Sequence, residues 1–339
     1  MQVPGEIPPF AALLDMAMGM WVSQALAAAA NLGVADHLAR GPLPVRDLAQ
    51  ATGADERSLY RLLRALSSKG VFAEGPERTF SQTPVSALLR EGIPGSLKYA
   101  AIMFNRPYNS RSWQEASYSV RTGKPALDNL YGMDTWALFR QEPEEWAIFN
   151  KAMTDLAATM HAAAVEAYDF SGFRSIVDIG GGHGQLLALV LSKNPGMRGA
   201  VFEQPEVAAG AEAVFVRMGV ADRAEAIGGD FFKEIPGQYD AVMMSHILHD
   251  WDDERAAAIL RTARKALSPG GRLLVLDAVI KPGNEPDPGK WIDMEMLVAV
   301  GGRERTEAEF GELMQQSGFA LRRVVPTKSS VSVVEGLAV

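Results

Sequence analysis

Residues 175–193 read SIVDIGGGHGQLLALVLSK: an apolar β run, a glycine-rich turn, and an apolar run at helical spacing. Glycines at that junction let the backbone turn sharply and let a ligand approach the helix N-terminus, so a nucleotide-like ligand is expected above the strand. The stretch is not a dinucleotide fingerprint. A Gly-x-Gly-x-x-Gly loop starting at Gly180 and Gly182 meets Gln185 where its third glycine belongs. The glycines fall instead at Gly180, Gly182 and Gly184, behind Asp178. A carboxylate at a strand end suits an ammonium group better than a pyrophosphate, which it would repel.

Outward from this stretch, the β-rich runs SIVDIGGG, RGAVFEQP, YDAVMMSHIL and GGRLLVLDAVI alternate with helical runs such as DDERAAAILRTARKAL. Alternation of that kind predicts an α/β fold with a doubly wound sheet. Two more acids fall at successive strand ends. Glu203 lies about twenty residues beyond the glycine turn, where a carboxylate accepts both hydroxyls of a ribose. Asp230 ends the next run, placed to accept from an adenine amino group while Phe231 packs the ring face. Each alone reads as a solvated loop acid; the three together point to an adenosyl ligand without phosphates.

The remaining chain sets the frame. Its 339 residues exceed the usual size of one core, which predicts two domains. A hydrophobic share of 47% with 22% charged residues is that of a folded globular protein. The net charge of −8 gives no global attraction to nucleic acid or an anionic membrane, and the absence of cysteine removes disulfides, thiolate ligands and a thiol nucleophile. A cytoplasmic location fits. Residues 16–35, MAMGMWVSQALAAAANLGVA, are uncharged over a bilayer's length. The stretch carries Ser23, Gln24 and Asn31, and the segment before it holds Glu6 and Asp15 but no basic residue, so it reads as a buried helix and not a membrane segment. Two helices, LPVRDLAQATG and DERSLYRLLRALSSKGVF, and the hairpin VFAEGPERTFSQTP give residues 1–100 the outline of a winged helix. Residues 101–165 are helical and rich in aromatics, and residues 166–339 form the α/β domain.

The stretch SHILHDW, residues 245–251, holds two of only five histidines. A metal site would use His246 and His249 with Asp250. A β run makes neighbouring side chains diverge, however, and the usual three or four ligands are missing, so no metal is expected.

The sequence from GGDFF (228–232) through SHILHDW to GGRERT (301–306), with FEQPEV before it and the winged helix ahead, resembles the small-molecule O-methyltransferases that use S-adenosylmethionine, typified by plant caffeic acid O-methyltransferases and bacterial enzymes of aromatic natural products. The resemblance implies a class I methyltransferase sheet, an N-terminal dimerisation domain in a homodimer, and methylation of a small aromatic hydroxyl with release of S-adenosylhomocysteine. It implies His249 as general base, flanked by Asp277 and Glu304, with Ser245 bordering the cofactor and Met153 near it. At position 277 the plant members usually have Glu, so the shorter Asp implies a longer or water-bridged contact. Met103, Phe104, Trp113, His246, Trp291, Met294 and Met296 are candidates to wall a flat substrate, with ordinary core as the alternative for each apolar residue.

Two competing functions follow from the same residues. An amine acceptor would use the same scaffold with less need of a base. A DNA-binding regulator would use the winged helix, where Arg57, Arg61 and Arg64 share one helical face, but the first 100 residues hold nine basic and nine acidic side chains and lack a basic footprint.

Overall fold

The computed structural model describes residues 8–339; Glu6 lies outside them. The chain forms two compact units, one of residues up to Arg111 with Phe139–Leu156, the other of Ser112–Leu138 with Ala157–Val339. Segment 101–165 contributes to both.

In the first unit, helices Val45–Thr52 and Glu56–Ser67 are joined through Gly53, and the second is capped by Asp55, whose carboxylate accepts from the Ser58 N–H. Strands β1 (Leu43–Pro44), β2 (Phe72–Glu74) and β3 (Thr79–Gln82) form an antiparallel sheet in the order β1-β3-β2. Leu59, Leu63 and Leu66 recur at helical spacing and bury against Leu48, Phe72 and Phe80. Arg57, Arg61 and Arg64 face outward. This is the winged helix expected.

The uncharged stretch 16–35 departs from expectation. It is not one buried helix: helices Pro9–Ala17 and Gly19–Asn31 bend by 43° at the break between them, and no single helix among the described residues is long and apolar enough to cross a membrane. Only its alanine-rich second half is buried. Phe10, Leu13, Met16, Met20 and Trp21 are all more than half exposed among the described residues.

The second unit is built on a seven-stranded sheet of order β6-β5-β4-β7-β8-β10-β9, with β4 at Ser175–Ile179, β5 at Arg198–Glu203, β6 at Ala224–Gly228, β7 at Tyr239–Ser245, β8 at Leu267–Asp277, β9 at Phe319–Pro326 and β10 at Ser332–Ala338. The first five of these strands are parallel; β10 runs antiparallel to both its neighbours. The doubly wound sheet expected is present, and the two C-terminal strands extend it. Parallel strands are apolar on both faces because helices cover both. Val177, Met244 and Val275 meet Ala256, Leu260, Phe310 and Met314 on one side; Ile176, Met243 and Leu274 meet Leu187, Val190 and Phe215 on the other. The order in which strands are added reverses between β4 and β7, and the crevice outside their carboxyl ends is where such sheets hold ligands.

One crossing fixes that crevice. The segment after helix Gly289–Ala299 returns to the turn that follows β7: the Arg303 N–H donates to the His249 carbonyl at 2.9 Å, and a methyl group on Gly302 would overlap that carbonyl oxygen. The Arg305 guanidinium, fully buried, donates to the carbonyls of Leu248 and Trp251 at 3.0 and 3.1 Å and to Asp253 Oδ1 at 2.7 Å. The clash at Gly302 is with backbone on both sides, so no side chain can yield. Gly302→Ala is expected to cost about 2 kcal/mol or more, read as a lower urea midpoint with an unchanged slope.

Candidate active site

The glycine turn after β4 is built by its own backbone. Gly180, Gly182 and Gly184 all have positive φ, and a Cβ on Gly180 would overlap the Ile247 side chain. Side chains are thereby excluded from the space over the strand ends. Beneath the turn, Asp178 is fully buried and neither of its carboxylate oxygens has a hydrogen-bond partner among the described residues. Burial, with the nearby Glu203 charge, pushes this carboxyl up to about 8. An unpaired buried carboxylate costs several kcal/mol by order of magnitude, which a cationic ligand group at this position would offset. Glu203, at the end of β5, accepts from the Gly182 N–H at 3.2 Å and the Gln204 N–H at 2.7 Å, and a carboxylate has lone pairs left for two hydroxyls. Asp230 is exposed, accepts from the Phe232 N–H and pairs with Lys233 at 3.2 Å. Phe231 lies half-buried beside Gly180, with Trp251 edge-on at 6.5 Å. Trp251 packs with Phe232, and the Arg255 guanidinium of the next helix lies over it at 5.1 Å, so its contacts are those of packing.

Strand β7 ends at Ser245, and His246 adopts φ +56, a left-handed conformation uncommon outside glycine. Its N–H donates to Asp277 Oδ1 at 2.9 Å. A continuous β run would have sent the two imidazoles apart. The bend instead brings His246 and His249 edge to face, with ring centroids 5.2 Å apart. Among the described residues no three His, Asp or Glu side chains are arranged to hold a metal ion.

His249 is buried, with Nδ1 2.6 Å from Glu304 Oε1 and Nε2 3.5 Å from Asp250 Oδ1. Burial alone would lower this imidazole; the carboxylates of Asp250, Glu304 and Asp277 outweigh it and push it up to about 10. These carboxylates favour the protonated form of the His249 ring. Burial also raises Asp250 to about 6 and Asp277 to about 7. Of the two acids expected to flank the histidine, only Glu304 bonds it. Asp277 is committed to the His246 backbone, and its second oxygen has no partner. Glu304 is held in turn by Asp293, whose Oδ1 accepts from the Glu304 N–H at 2.9 Å.

The other expected residues fall as follows. Ser245 points its hydroxyl between two imidazoles, His246 Nδ1 at 3.0 Å and His161 Nε2 at 3.3 Å. Trp113 is half-buried and donates through Nε1 to Glu295. Met294 and Met296 are half-buried on the same helix as Glu295, whereas Trp291 is 73% exposed, in the helix's first turn beside the exposed segment 281–286. Met103, Phe104 and Met153 belong to the first unit, where Met103 is buried, Met153 half-buried and Phe104 exposed. Sequence reading missed His161 and Arg305. His161 lies 84 positions from Ser245 and carries no motif; Arg305 stood within GGRERT beside the acid that drew attention.

A sequence profile of the O-methyltransferase domain matches residues 113–320, and one of the O-methyltransferase dimerisation domain matches residues 14–92. The chain is similar to the phenazine O-methyltransferase PhzM of Lysobacter antibioticus, 43% identical over 331 residues covering 98% of this chain and 97% of that one. It is also similar to the mitomycin biosynthesis 6-O-methyltransferase of Streptomyces lavendulae, 40% identical over 324 residues, 95% of this chain and 92% of the other. Among solved structures, the O-methyltransferase NcsB1 of neocarzinostatin biosynthesis, in complex with S-adenosylmethionine and 2-hydroxy-5-methyl naphthoic acid, superposes with a TM-score of 0.81 at 33% identity, covering 99% and 100% of the two chains.

The raised Asp178 implies a pH signature. A carboxyl whose folded value lies above its unfolded one favours folding below about pH 4 and loses that contribution as pH rises through about 8. Asp178→Asn has no such titration. Without ligand, its melting temperature is expected to fall less between pH 4 and pH 8 than the parent's, while its affinity for S-adenosylhomocysteine drops in calorimetry. Parallel melting profiles for the two proteins would contradict the assignment.

Proposed function

This chain belongs to the family of O-methyltransferases, and we propose that it carries the methyl group of S-adenosylmethionine to a hydroxyl of a small aromatic acceptor, with His249 as general base. The single observation that carries the reading is the 2.6 Å contact between His249 Nδ1 and Glu304, which fixes the ring and leaves Nε2 for the acceptor. The residues suit the cofactor. Asp178 would take its ammonium group, Glu203 its ribose hydroxyls, and Phe231 with Asp230 its adenine, while the open glycine turn admits it. When bound, the cofactor supplies an electrophilic methyl group on a sulfonium.

The chain's own task is to present an oxygen nucleophile. A phenol is a weak acid, and the carboxylates around His249 raise its basicity, which favours its taking a phenolic proton. As the acceptor oxygen is methylated, His249 Nε2 would hold the phenolic proton, with the imidazolium paired to Glu304. Acid neighbours that raise the imidazole favour the protonated product of this step. They also mean that a resting imidazolium must shed its proton, or meet an acceptor that is already a phenolate. An amine acceptor would need this machinery less.

A homodimer accompanies this reading. It is supported by the match of residues 14–92 to the dimerisation domain and by the exposed apolar side chains of Phe10, Leu13, Met16, Met20 and Trp21, which a second copy would cover.

Four outcomes test these statements. His249→Ala should lose most methyl transfer to phenolic acceptors, on the order of 10²-fold or more, and bind S-adenosylhomocysteine as before; near-normal turnover would end the base assignment. In the parent, kcat/KM should climb with pH through neutrality, because one proton must leave enzyme and acceptor together. Glu304→Gln removes a carboxylate that raises His249, so its climb should level off at lower pH. Trp21→Glu should shift the light-scattering mass toward one chain.

A further inference from the structure

We propose that His246 orients the acceptor as a hydrogen-bond donor, and that it selects acceptors bearing a carbonyl oxygen or ring nitrogen next to the reacting hydroxyl. The inference rests on the reading of His249 as the site of oxygen methylation.

Three of the chain's five histidines meet here: one hydroxyl links His246 to His161, and the His246 ring stands against that of His249. Ser245 Oγ lies 3.0 Å from His246 Nδ1 and 3.3 Å from His161 Nε2, and it has one hydrogen to give. His161 Nδ1 is buried without a partner among the described residues. If that atom carried the hydrogen, a donor would be buried unsatisfied, so the arrangement of lowest cost leaves a lone pair there and puts the hydrogen on Nε2. His161 then donates to Ser245, and Ser245 donates to His246 Nδ1. The hydrogen of His246 is thereby confined to Nε2. Were His246 to donate through Nδ1 as well, the Ser245 hydrogen would have no acceptor among the contacts it makes.

His246 is held as a neutral ring. Burial, reinforced by the neighbouring His249 and His161, lowers it well below the usual imidazole range, and burial lowers His161 to about 4. Its Nε2 makes no hydrogen bond among the described residues, and the side chain is half-buried. The ring stands edge to face with His249 at 5.2 Å between centroids, so an N–H donor and the proposed base border the same space. The backbone is also constrained for this purpose. The left-handed bend at His246 is an unfavourable conformation for a side chain with a Cβ, and it is held by the N–H bonds to Asp277 Oδ1 and to the Leu276 carbonyl at 3.1 Å. A donor fixed in one tautomer cannot accept. It rewards an acceptor atom beside the hydroxyl and offers nothing to a bare hydrocarbon edge.

The tautomer is read directly by long-range proton–nitrogen correlation on histidine-labelled enzyme without ligand. His246 should appear as the neutral Nε2–H form, and Ser245→Ala should convert it to a mixture of tautomers. A wild-type His246 bearing its hydrogen on Nδ1 overturns the proposal. Selectivity is read with 8-hydroxyquinoline and 1-naphthol, which match in size and differ by the ring nitrogen beside the hydroxyl. Wild-type kcat/KM should favour 8-hydroxyquinoline by about tenfold, the worth of one well-made neutral hydrogen bond. The ratio should collapse in Ser245→Ala and in His246→Asn, whose side chain tolerates the left-handed backbone. Equal rates in the wild type, or no turnover of either compound, overturn the selectivity. His249→Ala separates the two readings: retained methylation in that variant removes the base and leaves the tautomer result standing.

Discussion

The buried guanidinium of Arg305 is the contact on which the site depends. It joins two segments more than fifty residues apart, binding the carbonyls on either side of His249 and the first-turn carboxylate of Asp253 in the helix that follows. A helix N-terminus favours acids, and Asp252 already caps this one through the Arg255 N–H, so Asp253 is available to meet the guanidinium. A planar fork can satisfy several acceptors at fixed angles, which a lysine ammonium cannot. Gly302 makes the approach possible, and the Arg303 N–H completes it. The same short segment delivers Glu304 to the imidazole. One crossing therefore sets the histidine turn, the orientation of the ring and the identity of its carboxylate partner.

This explains which parts of the site the linear sequence carried. Features repeated along the chain were legible: the apolar runs of β4, β5, β7 and β8, the glycine turn, and acids at successive strand ends all follow from local rules of period and turn chemistry. Glu304 was legible as the histidine's neighbour because motif and contact coincide. Asp277 was legible in place and not in partner. Its bond goes to the His246 N–H because the chain bends left-handed one residue after β7 ends, and nothing in the letters SHIL marks that bend. His161 was invisible, since a lone histidine on an alanine-rich helix has no periodic or spacing signal. Trp291 stays exposed in this chain: aromatic character says that a side chain prefers burial, and not which element will cover it.

The winged helix raises the same distinction on a larger scale. Helix Glu56–Ser67 satisfies its apolar stripe within its own unit, through Leu59, Leu63 and Leu66. Helix Pro9–Ala17 does not; Phe10, Leu13 and Met16 stay exposed. Periodicity predicts that a face is apolar, but whether the chain itself or a second copy buries it is a property of the assembly.

The acids of the second unit follow a common logic. Asp178, Asp277 and Glu304 are buried, and each keeps at least one oxygen without a hydrogen-bond partner. Folding alone gains nothing from such atoms; an apolar residue would cost less at each position. What they create is a pocket that favours positive charge at two places. Below the glycine turn, Asp178 and Glu203 favour a cationic ligand. Beside the crossing, Asp250, Asp277 and Glu304 favour a proton on His249.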